Sequence, residues 1–201
     1  MRSWFCINEL LSAEKQKHRG ASDRGSGGSC TEIFSRIREM QAKPAAILLT
    51  HGHYDHILAV EDVKKEYQIP VYACEKEAGT LLDPSANLSG YGNRSCSLKA
   101  DILLEDLQAF EAAGFSVQML HTPGHTPGSC CYYLKDEGIL FSGDTLFYGS
   151  VGRTDFPGGS TAQIVESLHR LTDSLPEETE VYPGHDISTT IGYEKRYNPF
   201  V

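Results

Sequence analysis

Hydrophobic residues recur along the chain in the spacing of helices and in the short runs of strands, from about residue 29 onward. The first helical stretch covers residues 29–41, where Ser29 and Glu32 form a candidate capping box. Its apolar positions share one helical face: Ile33, Phe34, Ile37 and Met40. This spacing predicts a helix that buries one side.

Short apolar runs predict the strands that follow. Residues 45–49 form a strand that ends at Thr50, residues 57–67 form a helix, and residues 69–73 form the next strand. The polar stretch 83–100 is typical of a loop. Further strands are predicted at 109–110, 115–120, 129–134, 138–142 and 180–182. The middle of the chain is therefore mostly β-structure.

A second amphipathic helix is predicted after Ser160, which forms a capping box with Gln163. Apolar residues then step by four, three and four positions along one stripe: Ile164, Leu168, Leu171 and Leu175. Such a stripe indicates a helix that packs against a core.

Composition and charge narrow the class of protein. The chain has 201 residues, of which 40% are hydrophobic and 22% charged, as expected for one compact domain. The formal charge of −9 argues against a nucleic-acid partner. The chain has no apolar run of about 18 residues, so neither a membrane span nor a secretory signal is predicted. We expect a cytoplasmic protein whose six scattered cysteines are free thiols.

Candidate chemistry is concentrated in the stretch ILLTHGHYDH, where a strand leads into His51, His53, Asp55 and His56. Imidazoles and carboxylates are ligands of borderline divalent metals. Four ligands crowded into one loop favour two neighbouring metal ions over one. The alternative is a surface loop that is rich in histidine by chance.

Three more segments place one ligand-capable residue beside small residues at the end of a strand. These are HTPGHTPGS with His125, SGDTLF with Asp144, and YPGHD with His185. Glycine and proline allow tight turns in which the backbone approaches a ligand closely. The expected groups are His51, His53 and His125 for one metal, and Asp55, His56 and His185 for the other, with Asp144 bridging both.

The four segments THGHYDH, HTPGHTPGS, FSGDTLF and YPGHD, in this order, resemble the metal-binding motifs of the metallo-β-lactamase fold superfamily. Within it, GDTLFYGSVGRTDFPGGS resembles the short glyoxalase II-like hydrolases, which are similar to hydroxyacylglutathione hydrolase. The resemblance covers residues 29–201. It implies an α/β (α+β) fold, an αββα sandwich whose metal site lies at the edge of two packed β-sheets, and the same seven ligands.

The resemblance also implies an activity. Two cations that share a water lower its pKa, so a metal-bridging hydroxide can attack a carbonyl near neutral pH. A thiolate departs with little protonation, which favours a thioester such as S-lactoylglutathione or a related hydroxyacyl thioester. Asp144 and Asp55 are the expected catalytic carboxylates. Zinc is the expected metal, and iron and manganese fit the same ligands.

Substrate contacts are expected from Arg153, Asp155 and Tyr148. Glyoxalase II has a lysine and a tyrosine where this chain has Arg153 and Asp155. Arg153 can hold a carboxylate, and Asp155 either contacts the substrate or pairs with Arg153. Glyoxalase II also continues into a helical domain beyond the point matching the end of GYEKRYNPFV, so the thiol carrier and the oligomeric state stay open.

His121 is expected to pack or support a ligand, and His18 and His169 to be solvated.

Residues 1–28 form an atypical N-terminal segment beside the domain predicted at 29–201. SWFCIN is a candidate first strand, but residues 9–27 lack the apolar run expected next, and Asp23 is the candidate for a conserved supporting aspartate of the family. We expect this segment to be disordered or altered.

Two other functions fit parts of the sequence. A persulfide dioxygenase with a single iron shares GRTDF and the first three histidine motifs. A destabilised, non-catalytic paralogue would keep the ligands without the activity. Nucleases of the same superfamily are disfavoured by the acidic charge.

Overall fold

The computed structural model of the chain describes residues 30–92 and 94–201. Ser29, the proposed strand SWFCIN and the atypical segment 1–28 lie outside the described residues. No helix among the described residues combines the length and the apolar character needed to cross a membrane.

The first half of the described chain forms a three-stranded parallel sheet. Its strands β1 (Ile47–Leu49), β2 (Val71–Cys74) and β3 (Ile102–Leu104) follow one another in space as in sequence. Four helices accompany them: α1 (Cys30–Glu39), α2 (Tyr54–Ile57), α3 (Val60–Tyr67) and α4 (Ala78–Leu82). Single turns of 3₁₀ helix cover Glu75–Glu77 and Ser89–Tyr91.

The second half forms a six-stranded sheet and two helices. Its strands are β4 (Ala109–Ala112), β5 (Phe115–His121), β6 (Cys130–Leu134), β7 (Ile139–Gly143), β10 (Glu180–Pro183) and β11 (Thr189–Thr190). The spatial order is β11, β10, β7, β6, β5, β4, with β10 and β7 parallel and every other neighbouring pair antiparallel. A hairpin of β8 (Leu146–Phe147) and β9 (Ser150–Val151) and the helices α5 (Thr161–Ser174) and α6 (Ile191–Tyr197) complete this half.

The two sheets pack face to face. Because side chains alternate along a strand, Leu48 of β1 and Cys74 of β2 point into the same core cluster as Met119 and Tyr132 of the larger sheet. The Tyr132 hydroxyl donates a hydrogen bond of 3.0 Å to the carbonyl oxygen of Leu49 and so ties the sheets together.

Helices cover the outer faces. Ile33 and Ile37 of α1 pack on Ile47 of the smaller sheet, and Leu168 and Leu171 of α5 pack on the larger one. The layers are therefore α, β, β and α, which confirms the predicted sandwich. Cys74, Cys96, Cys130 and Cys131 of the described part are free thiols, as predicted.

The helix predicted over residues 57–67 is wrong in its start and its continuity. The structure has α2 and α3 there, separated by Leu58 and Ala59. The turn α2 carries Asp55 and His56, whereas α3 buries Val60 and Val63 in the outer core. Ile57 of α2 packs in the same outer core, so α2 contributes to that core and also carries two candidate ligands, which a single apolar stripe does not reveal.

Several short elements lie outside the sequence predictions: α4, β3, β8, β9, β11 and α6. Half of the capping box predicted for α5 is present. The Ser160 hydroxyl accepts a hydrogen bond from the backbone N–H of Gln163, whereas the Ser160 N–H donates to the carbonyl oxygen of Gly124 and not to the Gln163 side chain. The stripe behind it is buried at Ile164, Leu168 and Leu171.

Replacing Leu168 by alanine tests the outer core. Leu168 is fully buried in the cluster under α5, so Leu168→Ala should lower the free energy of unfolding by about 2–5 kcal/mol through lost burial and a residual cavity. The measurement is chemical denaturation. His169→Ala, on the exposed side of the same helix, is the matched control and should change stability by less than about 0.5 kcal/mol. Equal midpoints for the two variants would contradict this packing.

Candidate metal centre

Loops that follow four strands meet at one edge of the sandwich. β5, β7 and β10 run in the same direction, because β6 is antiparallel to both β5 and β7 and β10 is parallel to β7. Their carboxyl ends therefore lie at the same edge of the sheet, and the segments that follow them carry His125, Asp144 and His185. The loop after β1 carries the remaining candidates: His51, His53, Asp55 and His56.

The first group of side chains consists of His51, His53 and His125. All three are buried, and each offers a ring nitrogen within 4.8 Å of those of the other two. The ring centroids lie 4.5–4.9 Å apart. Three imidazoles thus converge on one point, as one metal ion would require.

The second group consists of Asp55, His56 and His185. Asp55 Oδ2 lies 3.6 Å from His56 Nε2 and 3.4 Å from His185 Nε2, and the two Nε2 atoms are 3.4 Å apart. His56 is buried, whereas the side chain of His185 is 37% exposed. This group therefore opens toward solvent.

Asp144 lies between the groups. Its Oδ1 is 3.6 Å from His56 Nε2, and its Oδ2 is 3.5 Å from His125 Nε2 and 3.6 Å from His185 Nε2. The carboxylate faces both sets of imidazoles. Among the described residues that form these clusters, no other carboxylate lies in such a bridging position.

The donor atoms fit divalent cations. Nε2 of His51, His53 and His125 and Oδ1 of Asp144 are buried without a hydrogen-bond partner among the described residues. Such groups cost free energy when they are left unpaired. Because Oδ1 of Asp144 faces His56 of the second group, one cation at each group would satisfy the three imidazoles and this carboxylate oxygen.

Burial lowers the pKa of the imidazoles of His51, His53, His56 and His125 and keeps them neutral. The hydrogen bond with Asp55 instead raises the pKa of His185. Loss of solvation lowers the pKa of His53 to about 4 and that of His56 to about 3. Burial also raises the pKa of Asp144 to about 7. For Asp55, burial opposes ionisation, but the hydrogen bond from His185 and the charge of His56 lower its pKa to about 2. Neutral imidazole is the form that binds metals.

Backbone geometry holds the ligands in place. His125 Nδ1 pairs with the carbonyl oxygen of Arg153 at 2.7 Å, which leaves Nε2 directed at the cluster. The register of β10 against β7 shifts between Tyr182 and Pro183, just before His185. A Cβ atom on Gly184 would lie 2.5 Å from Asp144 Oδ1, so only glycine allows this close approach.

Arg153 and Asp155 form the rim of the site on the side of the first group. The guanidinium donates through Nε and Nη2 to the two carboxylate oxygens of Asp155, at 2.7 and 2.6 Å. Its central carbon lies 3.9 Å from the ring centroid of Phe156, which in turn packs edge-on against His53. The structure thus shows the pairing alternative for Asp155 and leaves the outer side of Arg153 exposed.

Tyr148 lies on the opposite side, next to the second group. It follows Phe147, whose ring packs edge-on against His185 at 6.2 Å between centroids. Tyr148 is 40% exposed, stacks on Tyr193, and accepts a hydrogen bond of 2.8 Å from the Tyr193 hydroxyl. Tyr193 therefore covers one face of the Tyr148 ring, and the Tyr148 hydroxyl, as the acceptor of this pair, keeps its own proton for a further hydrogen bond.

The other histidines of the described part lie outside the clusters. His121 Nε2 pairs with the carbonyl oxygen of Pro127 at 2.9 Å, and its backbone N–H donates to Asp106. His169 is exposed on α5. His18 lies outside the described residues.

Sequence reasoning missed two buried glutamates. Glu77 accepts hydrogen bonds from the loops that carry the first group. Glu194 accepts hydrogen bonds from Gly149 N–H, the Thr189 hydroxyl and the Asn198 amide. It thereby joins the hairpin after Asp144 to the segment after His185. Neither glutamate stands in a distinctive motif, and only the folded contacts reveal them.

Comparison with known proteins agrees with this architecture. The profile of the metallo-beta-lactamase superfamily matches residues 25–185. The chain is 41% identical over 177 residues to a protein of Bacillus subtilis named "probable metallo-hydrolase YqgX", covering 87% of this chain and 84% of that protein. It is 33% identical over 178 residues to the hydroxyacylglutathione hydrolase GloC of Haemophilus influenzae, covering 87% and 84%.

Solved structures with the same fold include BLEG-1 B3 metallo-beta-lactamase, with a TM-score of 0.79 and 42% identity over 88% of this chain and 86% of that one. TTHA1623 in a di-iron-bound form has a TM-score of 0.75 and 36% identity over 88% and 87%. ETHE1 from Myxococcus xanthus has a TM-score of 0.66 and 31% identity over 84% and 68%. The chain therefore belongs to the metallo-β-lactamase superfamily.

Proposed function

We propose that this protein is a metal-dependent hydrolase that cleaves a thioester, with S-lactoylglutathione or a related hydroxyacyl thioester as its substrate. The observation that carries the proposal is the position of Asp144 between two clustered ligand groups. The similarity to GloC of Haemophilus influenzae supports the choice of a thioester.

In this proposal His51, His53 and His125 hold one cation, and Asp55, His56 and His185 hold the other. Asp144 bridges them. Zinc suits imidazole and carboxylate ligands, and iron and manganese suit the same set. The di-iron form of TTHA1623 makes iron a specific competitor to zinc.

When bound, the cation pair supplies Lewis acidity toward the substrate carbonyl and acidifies a shared water. Asp144, reaching both groups, accepts a hydrogen bond from the attacking water and so orients it toward the carbonyl carbon. Asp55 keeps His56 and His185 turned toward the cluster through its Oδ2. The leaving thiol has a pKa of about 8.5, so no strong general acid is needed for its departure.

The rim residues bind the thiol carrier in this proposal. Arg153 is held by Asp155 and Phe156 with its outer face exposed, ready for a carboxylate of the substrate. Tyr148 offers an aromatic face on the other side of the site. The acyl group then lies between these two contacts, above Asp144.

Replacing Asp144 tests the catalytic proposal. Asp144→Ala should reduce hydrolysis of S-lactoylglutathione by metal-replete protein by at least about 10²–10³-fold, because the group that orients the water is lost. The measurement is the loss of thioester absorbance, with metal content determined for each sample. His169→Ala is the control and should keep the full rate. Equal rates for Asp144→Ala and the unaltered protein would refute the hydrolase proposal.

Replacing Arg153 tests substrate recognition. Arg153→Ala should raise KM for S-lactoylglutathione on the order of tenfold with a smaller change in kcat, because a contact made equally in the ground and transition states is lost. A thioester without carboxylates is the matched control substrate, and its KM should be the same for both proteins. An unchanged KM for the glutathione thioester would remove Arg153 from the binding site.

Metal removal and replacement separate the hydrolase from its rivals. Chelation should abolish hydrolysis, and zinc at about 100 times its dissociation constant should stabilise the chelated protein by about 2.7 kcal/mol in thermal melting. We expect two metal ions per chain. One iron per chain with oxygen uptake on glutathione persulfide would favour the dioxygenase. No stabilisation by zinc, iron or manganese would favour the non-catalytic paralogue.

A further inference from the structure

Glu77 is a buried carboxylate directly beneath the first ligand group. It ends the 3₁₀ turn Glu75–Glu77 after β2, and only 1% of it is exposed. Glu77 Oε1 accepts a hydrogen bond of 2.8 Å from the backbone N–H of Gly52. Glu77 Oε2 accepts one of 2.8 Å from Gly128 N–H and one of 2.9 Å from the Thr126 hydroxyl.

The donors of these hydrogen bonds lie beside all three ligands of the first group. Gly52 stands between His51 and His53, and Thr126 follows His125 in the chain. The two loops come from different sheets, after β1 and after β5. One carboxylate therefore fixes their backbones relative to each other across the junction of the sheets.

The two glycines provide a second, independent sign of this role. A Cβ atom on Gly128 would overlap the backbone of Glu77, and one on Gly52 would lie 3.2 Å from Glu77 Oε1. Side chains at these positions would push the loops away from the carboxylate. The absence of side chains at both positions allows the close approach on which the hydrogen bonds depend.

A charged group suits this position better than a neutral one. Burying a carboxylate is costly unless hydrogen bonds compensate for the lost water. Here two of the partners are backbone N–H groups, which can only donate. A glutamine would turn its amide NH₂ toward one of these donors and leave that donor unpaired.

We propose that Glu77 is the positioning residue of the three-histidine group, setting the distances among His51, His53 and His125 and thereby the affinity and coordination geometry of the metal they hold. The inference rests on the metal centre proposed above. It assigns Glu77 no contact with substrate. The ligands of the second group reach the site through α2 and the loop after β10, so their metal should respond less.

Cobalt binding tests the inference without relying on activity. The experiment loads the unaltered protein and Glu77→Gln with Co²⁺, follows the visible absorption of the bound ion, and measures both affinities by competition with a chelator. We expect one of the two affinities to fall by about 10–100-fold in Glu77→Gln, with a changed absorption spectrum for that ion. The other affinity should stay near its original value.

Leu134→Ala is the matched control. Leu134 is buried at the end of β6 that lies opposite the site, paired with Ile139 at the start of β7, so its loss should destabilise the fold away from both loops. The variant should keep the cobalt affinities and spectrum of the unaltered protein. If Glu77→Gln does not fold, Glu77→Asp takes its place with the same expectation, since its shorter side chain cannot span both loops.

Three outcomes would overturn the inference. Unchanged affinities and spectrum in the Glu77 variant would show that the carboxylate does not position the ligands. An equal fall of both affinities, shared by Leu134→Ala, would show a general effect of stability. Failure of the unaltered protein to bind cobalt would remove the metal centre itself, and with it both this role and the proposed function.

Discussion

Buried imidazole nitrogens that face one another, without hydrogen-bond partners in the part of the chain that the structure describes, impose the central constraint on this molecule. Nε2 of His51, His53 and His125 and Oδ1 of Asp144 share one small region at the edge of the sandwich. Leaving such groups unpaired is unfavourable, and cations held by the two groups would relieve the cost. The cluster is therefore best understood as a site whose ligands are held ready for metal by the rest of the fold.

The packing of the two sheets supplies the rigidity for this arrangement. Leu48, Met119 and Tyr132 fill the space between the sheets, and the Tyr132 hydroxyl binds the carbonyl oxygen at the end of β1. The loop that starts one residue later carries the histidine cluster. This hydrogen bond fixes the strand end from which the ligand loop begins, and a site built on positioned groups depends on such support.

Buried carboxylates connect the loops where the sheets alone do not. Glu77 joins the loops after β1 and β5, and Glu194 joins the hairpin after Asp144 to the segment after His185. Each is placed beside a different ligand group. At the rim, Asp155 holds Arg153 in a bidentate pair, so the charge offered to a substrate stands in a defined direction. Under the functions proposed above, the same side-chain chemistry would serve metal binding, loop positioning and recognition.

The sequence by itself determined the ligand-bearing segments, the main strands, the helix α5 with its cap, and, through the family resemblance, the αββα sandwich. These features depend on local patterns: apolar runs, a helical stripe, and histidines beside glycine and proline. The tertiary structure alone decided the roles of Glu77 and Glu194, the pairing of Asp155 with Arg153, and the break between α2 and α3. It also decided the short elements β3, β11 and α6. Each has only two to seven residues and is stabilised by partners distant in the chain, not by a periodic pattern of its own.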